Sequence, residues 1–154
     1  MDEVESFEVE GVRIEFFKPR GHYKIVDSSR PYPLILKLTF GRINFMFGES
    51  LADFSVQREL IDIYHKRIQS NVLYLPQLKG NLRLFNDFLN IVSPEILVVN
   101  RAKDCFGNYF DKGVSYFDIH RKSKFVETTR DGMVAISTDG MEIKTRTFNN
   151  GESW

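Results

Sequence analysis

Apolar and polar residues alternate along the first part of the chain, which is the pattern of β-strands with one buried face. The alternation runs from Phe7 to Phe16 and breaks at Gly11, so it predicts a pair of antiparallel strands. Residues 20–33 are rich in Gly, Ser and Pro and predict a long connection. Two further strands are predicted at Leu34–Phe40 and Ile43–Phe47, joined by a tight turn.

In the middle of the chain, the spacing of apolar residues changes to that of a helix, and strand patterns follow it. A helix is predicted from Leu51 to Ile68, with Ser50 as its amino-terminal cap. Its predicted inward face consists of Leu51, Phe54, Ile61, Tyr64 and Ile68. A strand at Val72–Leu75, a helix over residues 82–92 and a strand over residues 94–99 follow, a spacing that predicts a parallel crossover unit. Since residues 94–99 show no polar alternation, we expect that strand to be buried on both faces.

The last part of the chain predicts a polar loop, a short helix at Val114–Arg121 and a small β-structure. The predicted closing strands cover residues 124–129, 133–138 and 141–148. The dipeptides Asp131-Gly132 and Asp139-Gly140 separate them and favour tight turns, so a β-hairpin or meander should end the chain. The whole pattern predicts an α/β fold in a single domain over residues 1–154, a mixed sheet with flanking helices.

The composition narrows the classes of protein to which the chain can belong. With 154 residues and 42% hydrophobic content the chain supports one substantial core. Lys plus Arg total 21 and Asp plus Glu total 21, so no global charge attracts nucleic acid or a membrane surface. One cysteine excludes an internal disulfide framework. The amino terminus is acidic and no apolar run approaches the ~20 residues of a membrane span, so we expect a soluble, cytoplasmic chain.

The residues that usually carry catalysis show no recognisable arrangement. His22, His65 and His120 lack the spacing of a metal site, and the motifs of serine hydrolases, phosphate-binding loops and dinucleotide-binding proteins are absent. A free-standing enzyme that uses Cys105 or Asp104 with His120 is the weakest hypothesis, because only a shared polar region supports it.

Four segments, in order, resemble one family. They read PLILKLTFGRINFMFGES, VLYLPQLKGN, FLNIVSPEILVVNRAKDCFGNY and VETTRDGMVAISTDG. They are similar to the strands and loops of competence-type metallo-β-lactamase-like domains, which occur in bacterial DNA-uptake membrane proteins. The resemblance covers about residues 5–147. It implies half of an αββα sandwich, either a soluble chain beside a membrane protein or a domain excised from one.

The metal-binding positions of that family are replaced at each point that can be compared. Glu49 stands where the family has a bridging Asp, and Gln77 and Lys79 fall in its His-His-Gly loop. Asn108 stands where the family has a histidine, and its His-rich first half has no counterpart. A lysine ammonium repels a divalent cation and a carboxamide is a poor zinc ligand. The resemblance therefore implies no catalytic residue, no metal and no cofactor, and a remnant pocket of Glu49, Gln77, Lys79 and Asn108 that suits a small or anionic ligand.

The missing half also has a consequence for assembly. A sheet with one apolar face cannot leave several hundred Å² of that face in water. We therefore expect a homodimer or a covering partner chain, with the homodimer preferred. The leading hypothesis is a non-catalytic binding or assembly module, and the alternative is half of a metal-dependent phosphodiesterase completed in trans. The candidate nucleic-acid contacts are Arg121, Lys122, Lys124 and Arg130.

Overall fold

A computed structural model describes residues 4–19, 34–75, 82–100 and 123–148, and seven of the strands in these ranges form one mixed sheet in sequence order. The strands are β1 (Glu5–Val9), β2 (Val12–Phe17), β3 (Ile35–Phe40), β4 (Ile43–Phe47), β5 (Val72–Leu75), β6 (Ile96–Val99) and β7 (Lys124–Glu127). Strands β1 to β4 pair antiparallel, and β4 to β7 pair parallel. The predicted α/β fold with a mixed sheet is thus confirmed.

Two helices cover one face of this sheet. Helix α1 (Phe54–Tyr64) connects β4 to β5, and α2 (Leu82–Val92) connects β5 to β6. Their apolar residues share one buried cluster with Met46, Leu73 and Leu97 of the sheet. The parallel pairing of β5 and β6 on either side of α2 confirms the predicted crossover unit.

A second, two-stranded sheet covers part of the other face. It consists of β8 (Met133–Thr138) and β9 (Ile143–Phe148), which pair antiparallel. Apolar side chains of this hairpin contact a separate buried cluster that includes Val72, Ile96 and Val98. Because successive residues of a strand point to opposite faces, β5 and β6 are covered on both sides. All four residues of β6 are buried, as the absence of polar alternation predicts.

The predicted helix over Leu51–Ile68 is wrong in its limits. A 3₁₀ helix (Glu49–Ala52) precedes α1, and another (His65–Ile68) follows it. Asp53, not Ser50, caps α1, and its carboxylate accepts a hydrogen bond of 2.8 Å from the backbone N–H of Ser55. Aspartate competes with the backbone for hydrogen bonds, so it separates the two helical segments. The predicted inward face is confirmed, since Leu51, Tyr64 and Ile68 are buried and Phe54 and Ile61 pack against the same cluster. The prediction missed Val56, Gln57 and Leu60, which are also buried.

The predicted turn at Asp131-Gly132 is also wrong, while the one at Asp139-Gly140 is confirmed. Residues Thr128–Asp131 form one turn of helix, α3, and the Asp131 carboxylate accepts a hydrogen bond of 2.8 Å from the backbone N–H of Glu127. On either side of this helical turn, β7 belongs to the large sheet beside β6, and β8 begins the second sheet. The closing structure is a hairpin and not a three-stranded meander.

A charged cluster lies on the helix side of the sheet. Glu15 and Lys37 are cross-strand partners and both are buried. The Glu15 carboxylate lies 3.6 Å from Arg13 and 3.5 Å from Arg67, and the Lys37 ammonium donates a hydrogen bond of 2.8 Å to the Arg67 carbonyl. Burial lowers the pKa of Lys37 below its ordinary value of 10.5, and the Glu15 charge opposes that shift. The carboxylate therefore offsets part of the positive charge of Arg13, Lys37 and Arg67.

Replacing Glu15 with Gln should destabilise the fold. The change leaves the buried Lys37 ammonium beside Arg13 and Arg67 with no counter-charge, so we expect a loss of roughly 2 kcal/mol in the free energy of unfolding. Chemical denaturation measures it. Glu8→Gln on the same face but at an exposed position is the control and should change stability by less than about 0.5 kcal/mol. Equal losses for the two variants would contradict this role of Glu15.

Candidate binding face and groove

The antiparallel half of the sheet has one apolar face. In the register of β1 to β4, Phe7 lies opposite Ile14, Ile14 opposite Leu38, and Leu38 opposite Phe45. Partners in register point to the same side of a sheet. We call this side the open face; its residues are Glu5, Phe7, Val9, Val12, Ile14, Phe16, Leu36, Leu38, Phe40, Ile43, Phe45 and Phe47. Glu5 is its one polar residue.

The opposite side of the same four strands is mostly polar. It carries Ser6, Glu8, Arg13, Glu15, Lys37, Thr39 and Asn44, and its apolar residues Phe17, Ile35 and Met46 belong to the cluster beneath the helices. The polar side is therefore the helix side. An antiparallel sheet with one solvated face directs its apolar face into a core. In β1 to β3 that apolar face points away from the helices.

Much of the open face lies beyond the cover of the hairpin. The side chains of Phe7 and Val9 are each 50% exposed and that of Phe40 is 36% exposed, whereas Ile43 on β4 is buried. The rings of Phe7 and Phe16 stack on each other with centroids 5.7 Å apart. Large exposed apolar patches mark interaction sites, so these side chains make the open face a candidate binding surface.

A groove continues the open face beneath the hairpin. Its volume is about 690 Å³. It is lined by Phe45, Phe47, Val72, Tyr74, Val98, Thr128, Gly132, Met133, Val134 and Ile136. Among these lining residues only Tyr74 and Thr128 have polar side-chain atoms, and the Thr128 hydroxyl donates a hydrogen bond of 2.9 Å to the Asn100 side chain. The groove is thus suited to apolar side chains.

The tip of the hairpin is fixed to the turn between β3 and β4. The backbone N–H of Arg42 donates to the Gly140 carbonyl at 2.8 Å, and the Arg42 guanidinium donates to the Met141 carbonyl at 2.9 Å. The Asp139 carboxylate accepts from the N–H groups of Met141 and Glu142, and these hydrogen bonds lower the pKa of Asp139 below its ordinary value. These hydrogen bonds hold the tip of the hairpin against the large sheet, on the same side as the groove.

Gly41→Ala should loosen the hairpin, and Gly11→Ala offers a matched control. Both glycines have a positive φ, of 58° and 80°, but a Cβ on Gly41 would overlap the Gly140 carbonyl oxygen, whereas one on Gly11 meets nothing closer than 3.8 Å. We expect Gly11→Ala to cost about 1 kcal/mol from backbone conformation alone. Gly41→Ala should cost roughly 2 kcal/mol more, since the hairpin must move.

Chemical denaturation measures both losses, and hydrogen exchange locates them. The amides of residues 133–148 should exchange faster in Gly41→Ala than in Gly11→Ala. If the two variants match in stability and in hairpin exchange, the contact between Gly41 and Gly140 does not position the hairpin.

The structure places only some of the residues proposed from sequence. Glu49 is exposed in the 3₁₀ helix that follows β4, while Gln77, Lys79 and Asn108 lie outside the described residues, so the remnant pocket stays a prediction. Cys105, Asp104, His120 and the helix predicted at Val114–Arg121 also lie outside them.

The proposed nucleic-acid contacts are likewise only partly placed. Lys124 begins β7 and is exposed, whereas Arg130 belongs to α3 beyond the other end of that strand. A strand of this length separates them by on the order of 10 Å. Arg121 and Lys122 lie outside the described residues. The nucleic-acid contacts therefore stay a prediction.

The open face and groove were not identifiable as a site from sequence. Alternation places Phe7 and Phe16 on one face of a strand, but only the pairing of β1 to β4 shows that their apolar sides coincide and face away from the helices. In the described ranges, no group of three or more His, Cys, Asp or Glu side chains is arranged to hold a metal ion. None of the described helices has the length and apolarity that a membrane crossing requires. No known family model and no curated protein matches the chain.

Proposed function

We propose that the chain is a non-catalytic binding and assembly module, related to the metallo-β-lactamase-like domains of DNA-uptake competence proteins. The open face is the observation that carries this proposal. It is an apolar surface of four strands on the side of the sheet away from the helices, and Phe7 and Val9 at its margin are half exposed. Its function in this proposal is to bury that surface against another polypeptide.

The chemistry of the candidate residues supports binding over catalysis. The positions that resemble metal ligands carry Glu49, Gln77, Lys79 and Asn108, a set with one carboxylate and one cation. The groove next to the open face is lined almost wholly by apolar groups. Such a surface contributes affinity through burial and has few groups that activate a nucleophile or stabilise developing charge.

The apolar character of the open face suits a second copy of the chain. Four strands at their usual spacing make a surface roughly 19 Å wide and 17 Å high, which is about 320 Å² in projection. A standard interface buries ~800 Å² per partner, so the groove and the surrounding rim would have to contribute the larger part. A homodimer in which the two open faces pack on each other buries both at once. A single cysteine agrees with our proposal of an intracellular, cytoplasmic setting, with or without a membrane-protein partner.

Phe7→Asp should separate the dimer. The wild-type chain, of 18.0 kDa, should sediment at twice that mass at micromolar concentration. Because Phe7 is half exposed in the single chain, the variant should fold, while a carboxylate buried in the interface should weaken association by at least ~tenfold. Sedimentation equilibrium measures the dimer dissociation constants of the wild-type chain and of the variant.

Ser6→Asp is the matched control, since it introduces the same side chain on the same strand but on the polar face. It should leave the dimer intact. A wild-type monomer at high concentration would contradict self-association, and equal weakening by both variants would contradict the assignment of the interface to the open face.

Metal content tests the non-catalytic part of the proposal. Protein purified without chelators and dialysed against zinc or manganese should hold well under one equivalent, because the predicted site offers no imidazole or thiolate. Elemental analysis measures the ratio. About one equivalent of metal, together with phosphodiesterase activity on mixing with a chain that carries the His-rich motif, would instead support half of a hydrolase completed in trans.

A further inference from the structure

The charged cluster on the helix side of the sheet has an exposed part that the proposed function does not use. Arg13 belongs to β2 and Arg67 to the 3₁₀ helix after α1, and their side chains are 55% and 51% exposed. The Glu15 side chain, which lies next to both, is only 10% exposed. The carboxylate is thus buried, while the two arginine side chains around it remain accessible to solvent.

Both arginines are held by ordered backbone. Arg13 lies on a strand that pairs with β1 on one side and β3 on the other. The carbonyl of Arg67 accepts a hydrogen bond of 2.8 Å from the Lys37 ammonium, and the next residue, Ile68, is fully buried. A site with a fixed backbone loses less entropy when a ligand binds, because only the two side chains have to become ordered.

The distance between the two guanidinium groups suits a small oxyanion. The Nη2 atom of Arg13 lies 3.6 Å and that of Arg67 lies 3.5 Å from the same oxygen of Glu15, so the two nitrogens are at most about 7 Å apart. Both distances exceed the ~2.8 Å of a charge-assisted hydrogen bond, so the carboxylate saturates neither group. A tetrahedral oxyanion that accepts from both nitrogens at ~2.8 Å spans a gap of this size.

Both guanidinium groups also keep N–H donors available. A guanidinium has five N–H donors. Within the described ranges, neither Arg13 nor Arg67 donates a side-chain hydrogen bond, whereas the Arg42 guanidinium donates to the Met141 carbonyl. Since a planar guanidinium favours bidentate contact with an oxyanion, this pair offers more donors than one Glu15 oxygen uses.

The charge of the cluster favours a dianion. Its three cations exceed its one carboxylate by two positive charges. Glu8, the register partner of Arg13, and Lys66, the neighbour of Arg67, are both exposed and offset each other. A phosphate monoester carries a charge of about −1.5 to −2 at pH 7, whereas each phosphate of a nucleic-acid backbone carries one negative charge. The cluster therefore matches a phosphate monoester better than a phosphodiester.

We propose that Arg13 and Arg67 form a binding site for a phosphate monoester group on the helix side of the sheet. The two guanidinium groups donate hydrogen bonds to the phosphate oxygens from solvent-accessible positions, and the buried Lys37 adds positive charge. The site lies on the side opposite the open face, so this inference does not rest on self-association.

Calorimetric titration with inorganic phosphate at constant ionic strength tests the site. Arg13→Gln and Arg67→Gln should each raise the dissociation constant at least ~tenfold, because each removes charge-assisted hydrogen bonds. Arg58→Gln is the matched control, since Arg58 is exposed on α1 and paired with Asp62, and it should change the constant less than ~twofold. Equal effects of the three variants would overturn the inference. Absence of phosphate binding by the wild-type chain would also overturn it and leave the proposed function standing.

Glu15→Gln provides a gain of affinity that loss of folding cannot imitate. The change removes the negative charge beside the site, so phosphate should bind at least ~threefold more tightly than it binds to the wild-type chain. Weaker binding by this variant would overturn the proposed location of the site.

Methyl phosphate and dimethyl phosphate distinguish the class of ligand. Methyl phosphate is a monoester and should bind as inorganic phosphate does. Dimethyl phosphate has the single charge of a nucleic-acid backbone and should bind at least ~tenfold more weakly. Equal affinities for the two would overturn the assignment to a monoester and favour a phosphodiester ligand.

Modification of arginine by phenylglyoxal provides a readout on the wild-type chain. Inorganic phosphate should slow the modification of Arg13 and Arg67 without changing that of Arg58, and peptide mass spectrometry locates the modified residues. Equal protection of all three arginines would overturn the inference.

Discussion

The burial of one apolar sheet face is the constraint on which the rest of the structure depends. The helices cover the sheet from one side, and beneath them β5 and β6 contribute apolar residues as an α/β sheet should. In β1 to β3 the amphipathic pattern is reversed, because the helix side carries Glu15 and Lys37 and the far side carries Phe16 and Leu38. The sequence thus encodes a second core on the far side of the sheet, which the described hairpin fills only in part.

The hairpin covers only one part of that second core. It lies over β4 to β6, where Val134 and Ile136 contact the sheet, and its tip is bonded to the turn before β4. None of the other described elements covers β1 to β3 on that side. A partner that covered the open face, as proposed, would adjoin the groove and would make it part of an interior.

Sequence patterns predicted the elements better than their limits or their faces. Residues 94–99 were predictable as a buried strand because they lack polar alternation, and Asp139-Gly140 was predictable as a hairpin turn because its chemistry is local. The limits of α1 were not, since Ser50 and Asp53 are both good caps and only the folded backbone selects Asp53. Asp131-Gly132 has the same local signal as Asp139-Gly140, but β7 pairs with β6 and not with β8. The dipeptide therefore ends the helical turn between β7 and β8 and does not form a hairpin turn.

The candidate site was less predictable than the fold because it depends on register. Alternation along β1 says that Phe7 and Val9 share a face, but not which face the helices occupy. The resemblance to a two-sheet family suggested that a covering layer was missing, and the pairing of β1 to β4 supplies the surface that such a layer would cover. Residues such as Phe45 and Tyr74, which join that surface to the groove, gave no separate signal in the sequence.

Hydroxyl-radical footprinting of the native protein tests most directly whether the open face is buried. Phe85 of α2 is fully buried and provides an internal standard, whereas Phe7 is half exposed in the single chain. If the open face is an interface, Phe7 should be oxidised nearly as slowly as Phe85 at concentrations where the chain is assembled. Oxidation of Phe7 that stays well above that of Phe85 and does not slow as the concentration rises would contradict the account.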